Sequence, residues 1–139
     1  IWGKGVSKGV SDTVVENIDI VPTILELIGS NIPYGIQGES LNTLIKNISS
    51  VRKKSSAVVT YDARDRGIMI KTYRDKRYKL NLFLNENYGE LYDLKNDPLE
   101  KENLFFNENF KELKSDLLLK FCYRMMECSD PLSERTANW

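Results

Sequence analysis

The chain has 139 residues, 41% hydrophobic and 29% charged, with 20 basic and 20 acidic side chains that cancel. That length suits one domain, or one small domain with an arm, and excludes a large self-contained enzyme. A zero net charge excludes an overall field that recruits nucleic acid or a membrane surface, and the absence of histidine removes the commonest general base and metal ligand.

The first eleven residues carry Gly3, Gly5 and Gly9 and read as a loop; no strand leads into them and no Gly-Lys-Ser/Thr closes them, so they are no phosphate cradle. After an extended stretch from Thr13 to Asn17 a helix is expected, with Asp19 as its N-cap, Pro22 in its first turn and Gly29 as its stop. Ile20, Val21, Ile24, Leu25, Leu27 and Ile28 surround this helix almost completely, so it needs neighbours on more than one side, and self-association through it is expected if the chain stands alone. Asp19 and Thr23 invite a metal reading, but two oxygen ligands are too few for a hard cation, and capping accounts for them. A loop from Asn31 to Gly38 leads to Ser40, placed to cap a short helix from Leu41 to Lys46. The stretch from Asn47 to Ser56 is polar and basic, and its Asn-Ile-Ser glycosylation sequon carries little weight without a secretory signal.

Four strands follow. The first is Ala57 to Tyr61, with a turn at Asp62 to Arg66, and the second is Gly67 to Tyr73, rich in β-branched and aromatic residues. From Tyr78 the alternation predicts a half-buried strand with Tyr78, Leu80, Leu82 and Leu84 inward and Lys79, Asn81 and Phe83 outward. Glu90 to Asp93 forms the fourth, ending at a turn where Asp97, Pro98 and Glu100 suggest a capping box. A helix from Asn107 to about Cys128 carries Phe110, Leu113, Leu117, Phe121 and Met125 at steps of three and four, widened by Leu118, Cys122 and Met126, and is the natural cover for the sheet. Cys122 and Cys128 point to different faces of it and read as buried, reduced thiols. The expected architecture is α+β: a small four-stranded antiparallel sheet covered by the long C-terminal helix, with a helical N-terminal arm.

Basic residues outnumber acidic ones between Arg52 and Lys79, which reads as a solvated strand face in preference to an anion surface. No apolar run approaches the ~20 residues of a membrane span and no signal peptide is visible, so a cytoplasmic setting and no membrane or nucleic-acid partner are expected. The chain opens on Ile1 in place of methionine and is expected to be a piece of a longer protein.

Three stretches together resemble the C-terminal part of the sulfatases, members of the alkaline phosphatase superfamily. Val15 to Gly29 is similar to the family's Asp-x-x-Pro-Thr helix, Gln37 to Ile45 to the Gly-x-Ser-Leu helix after it, and the RYKL, ELYDL and NDPLEKENL segments within Ile70 to Leu104 to the strands and Asp-Pro turn of its small C-terminal subdomain. The resemblance implies residues 1–50 as the distal end of a catalytic domain and 51–139 as the C-terminal subdomain. It implies a parent that hydrolyses sulfate esters with formylglycine, formed within a Cys/Ser-x-Pro-x-Arg motif, and a divalent cation such as calcium. Neither cysteine here has proline at the required position, so no catalytic residue, metal site or cofactor is expected in this segment. Its partners would be the remaining catalytic domain and, in the parent, a sulfated small molecule or glycan. The turn holding Arg64, Asp65 and Arg66 is the candidate substrate contact, because guanidinium groups match sulfate oxygens and the subdomain lies beside the family's cleft. Two other readings stand beside this one: a phosphoric or phosphonic ester hydrolase of the same superfamily, and a stand-alone binding or assembly module.

Overall fold

The computed structural model describes residues 1, 3 and 5–129. The sheet is a four-stranded meander in the order β1 (Ala57–Ala63), β2 (Ile68–Arg74), β3 (Tyr78–Phe83), β4 (Gly89–Asp93), every neighbouring pair antiparallel. A 3-10 turn at Arg64–Arg66 joins β1 to β2 and ends on Gly67 at φ 74°, a left-handed conformation that glycine enters without a Cβ penalty. Between β2 and β3, the Asp75 carboxylate accepts the backbone N–H groups of Arg77 and Tyr78 at 2.8 and 2.7 Å and fixes the bend.

The register explains the core. Val58 pairs with Tyr73, Tyr73 with Leu80, and Leu80 with Leu91, so one rung across the sheet presents its side chains to a single face. Onto that face lies α3 (Lys111–Glu127), entered through a 3-10 turn whose N-cap, Asn107, accepts the Asn109 N–H at 3.0 Å. Leu117 and Phe121 are buried against Tyr73, Leu80, Leu91 and Leu104, and the rings of Tyr73 and Phe121 stand 5.9 Å apart. Burial of such a cluster, at about 25 cal/mol per Å² of apolar surface, holds helix and sheet together. The free edge of β4 is closed by the following segment: Leu104 donates to the Leu91 carbonyl at 2.8 Å, and the Asn103 amide bonds both Leu91 N–H and the Gly89 carbonyl.

Several local expectations are corrected. Leu84 lies beyond β3 and is exposed, and Asn81 is buried, because Thr72, Asn81 and Glu90 form a cross-strand polar rung with bonds of 2.8 and 2.6 Å. No capping box forms near Asp97. Glu100 sits at φ 54° and its carboxylate goes to Lys79 at 2.6 Å, while the Asp97 carboxylate accepts the Glu102 N–H. Cys122 is exposed and Cys128 half-buried, and Met126 is exposed as well, since α3 buries only a narrow stripe against the sheet.

In the N-terminal arm a 3-10 turn at Asn17–Asp19 runs into α1 (Ile20–Leu27), and α2 (Asn42–Lys46) follows. The inward side of α1 is narrow and buries none of its large aliphatic residues. Pro22 and Thr23 are buried, whereas Ile20, Val21, Ile24, Leu27 and Ile28 are each more than half exposed. Thr23 donates to the Asp19 carbonyl at 2.5 Å and accepts the Leu41 N–H at 2.8 Å, tying α1 to the start of α2. At Gly38 a Cβ would overlap the Ile18 carbonyl, so glycine alone lets this loop reach the helix. No helix among the described residues is long and apolar enough to cross a membrane.

Candidate functional site

Two groups of charged side chains stand out, at opposite ends of β1. At the far end from the arm, Arg64, Asp65 and Arg66 share one exposed 3-10 turn. Arg64 is held by Asp62 through Nε at 2.9 Å and Nη2 at 2.8 Å, and the bond to Arg64 keeps the Asp62 carboxyl below the usual carboxylate range. Arg66 and Asp65 approach only to 3.8 Å, and both side chains are largely in water. The turn therefore offers one oriented and one unrestrained guanidinium. It can receive an anion.

At the arm end lies a buried ionic centre that sequence reading did not assemble. Asp19 is fully buried, and its carboxylate accepts the Glu16 N–H at 2.9 Å, the Glu39 N–H at 2.8 Å and the Arg52 Nη2 at 2.7 Å. Asp19 thus corrects the capping expectation: it precedes α1, but its side chain makes no cap bond to that helix and turns back to the arm. Burial alone would raise its pKa, but the two amides and the Arg52 guanidinium outweigh burial and leave it below the ordinary value. Beside it Glu16 accepts from Lys54 at 3.4 Å, from Arg124 of α3 at 3.2 Å and from the Val58 N–H at 2.9 Å. One carboxylate thus joins the arm, the linker, β1 and α3. The sequence signal was available: Glu16 and Asp19 sit within an otherwise apolar stretch, VVENIDIVPTIL, and buried carboxylates require cationic partners.

Chemically this centre is saturated. The Asp19 oxygens are committed to amides and Arg52, and among the described residues no group of three or more acid, cysteine or histidine side chains could hold a metal ion. A calcium ion therefore does not fit the donor set among the described residues, and the centre acts as a clamp.

The sequence profile of "N-sulphoglucosamine sulphohydrolase, C-terminal" matches residues 2–126. A protein of Formosa agariphila named "Ulvan-active sulfatase" is 28% identical over 170 aligned positions, which take in 96% of this chain and 33% of the relative. Among solved structures, a "2-O GAG sulfatase" superposes with a TM-score of 0.77 at 25% identity, covering 91% of this chain and 29% of that one. The fold is shared with a phosphonate monoester hydrolase from Silicibacter pomeroyi, with a TM-score of 0.73 at 19% identity over 85% of this chain and 26% of that one. The chain spans a third or less of the length of the curated relatives it matches.

Proposed function

The chain belongs to the sulfatase family, as a C-terminal domain of the N-sulphoglucosamine sulphohydrolase type, and from that membership we propose that it completes an enzyme hydrolysing sulfate esters of saccharides. The match of the family profile to residues 2–126 carries this reading. Residues 1–50 are the distal end of the catalytic domain and 51–139 the C-terminal subdomain. The nucleophile, formylglycine, and the divalent cation that would polarise the ester belong to the part of the protein outside these residues. Two features support a catalytic domain as the missing neighbour: the apolar outer side of α1 and the uncovered sheet face, where Val59, Tyr61 and Ile68 are exposed opposite α3. Without that neighbour the outer side of α1 is left for a second copy. Ile24→Asp or Ile28→Asp is then expected to reduce self-association of the 139-residue chain in sedimentation while its sheet stays folded. A strictly monomeric wild-type chain would remove this use of α1.

Arg64 and Arg66, with Asp65, form one wall of the substrate cleft in this reading. Replacing either arginine by alanine in the intact protein should raise KM for a sulfated saccharide roughly three- to tenfold and spare a small aryl sulfate, as expected for lost binding remote from the reacting bond. Equal effects on both substrates would assign the turn to structure alone. The same-superfamily alternative, a phosphonic ester hydrolase, shares only the fold, and parallel assays on sulfate and phosphonate esters separate the two.

A further inference from the structure

At the arm end of the sheet the backbone of residues 10–14 and 48–56, the β2–β3 bend and the later turns of α3 enclose a half-open cleft of about 790 Å³. Cavities of this size hold ligands of one or two sugar rings. It lies at the opposite end of the seven-residue β1 from the Arg64–Arg66 turn, roughly 20 Å away at about 3.3 Å per residue, so one sugar unit cannot touch both.

The walls carry an excess of positive charge. Arg52, Lys54, Lys76, Arg77, Lys120 and Arg124 line the cleft against only Asp12 and Asp75. Four of the cations are committed: Arg52 to Asp19, Lys54 to Glu16, Arg77 to Asp93, and Arg124 to Glu16 and Glu127. Lys76 and Lys120 are not. Both are exposed, and neither has an ion-pair partner among the described residues. One oxygen of Asp75 accepts both amides of its own bend, and Asp75 and Asp12 together place two negative charges against the six cations. Three residues beyond Lys120, on the same side of α3, Tyr123 lines the cleft with 57% of its surface in water. Ser49, Ser50, Ser55 and Ser56 line the cleft as well.

We propose that this cleft binds a sulfated saccharide, with Lys76 and Lys120 on the sulfate and the Tyr123 ring against the apolar face of the sugar. Paired cations alone would suit any small anion. An exposed ring in a cleft that also carries hydroxyl side chains suits a ligand with an apolar face, hydroxyls and a negative group together. The choice of sulfate among anionic groups rests on the function proposed above.

Lysine footprinting tests the site where it lies, apart from any binding at the catalytic centre. The intact protein is acylated briefly with an amine-reactive ester, with N-acetylglucosamine 6-sulfate, N-acetylglucosamine or sodium sulfate at equal concentration, and each lysine is read by mass spectrometry. The sulfated sugar is expected to slow labelling of Lys76 and Lys120 about fivefold at a concentration several times Kd, with exposed Lys101 unchanged. Tyr123→Ala should abolish that protection. Equal protection by sodium sulfate, protection that survives Tyr123→Ala, or none at all would overturn the proposal. Turnover of an aryl sulfate by the same preparation keeps the outcomes distinct: turnover without protection removes the cleft alone, and protection without turnover removes the sulfatase reading alone.

Discussion

Replacing Asp19 by alanine is expected to lower the unfolding free energy by about 3 kcal/mol, the cost of taking its closest partner from a buried cation that is left with Glu39 at 3.6 Å. The Arg52 side chain is 5% exposed and its pair with Asp19 closes at 2.7 Å, so water cannot take over the lost contact. The Glu16 and Glu39 amides would lose their acceptor as well. Chemical denaturation of Asp19→Ala, Arg52→Ala and the double variant measures this directly. The double variant should be less destabilised than the sum of the singles, because removing both charges leaves neither stranded. Strict additivity would show that the two residues act apart. The same pair sets an acid limit. The Asp19 pKa is depressed in the folded chain, so its contribution is fully present above an unfolded carboxylate's value of about 4 and is lost as pH falls through the folded value. Between pH 5 and 2 the wild type should lose more stability than Asp19→Asn, and the two curves should converge.

Phe121→Ala is expected to cost about 3–5 kcal/mol through the lost apolar contact and the cavity left behind. Phe121 is 2% exposed and fills the space between α3 and the Tyr73, Leu80 and Leu91 rung, so little is free to collapse into the gap. Leu119→Ala, two residues away and 53% exposed, should fall within about 0.5 kcal/mol of wild type. A similar cost for both variants would mean that α3 does not rest on the sheet by this stripe.

The periodicities that placed the four strands and α3 were legible because each element buries one face, and burial writes itself into spacing. Leu117 and Phe121 follow from the helical period and Leu80 from the strand alternation. Asn81 keeps to the face opposite Leu80 as the alternation requires, but is buried there because a cross-strand polar rung can satisfy a buried amide, which no pattern in one strand announces. The arm misled in the opposite sense. Its apolar residues marked α1 correctly but point outward here, and the inward side is held by Thr23, Asp19 and partners 18 to 33 residues away in sequence, Leu41 for Thr23 and Glu39 and Arg52 for Asp19. The exposed turn of Arg64, Asp65 and Arg66 was legible as a charge cluster. The Lys76, Lys120 and Tyr123 grouping was not, because a bend between strands and a distant helix meet only in the folded chain.

In the proposed reading this chain is the C-terminal part of a saccharide sulfatase whose chemistry resides elsewhere in the protein. The most direct test is sulfate release from N-acetylglucosamine 6-sulfate, followed by ion chromatography, for the intact protein and for the 139-residue chain by itself. Release by the intact protein and none by the chain alone is the expected result. Sulfate released by the chain alone, or an intact protein that cleaves a phosphonate ester and leaves every sulfate ester untouched, would contradict it.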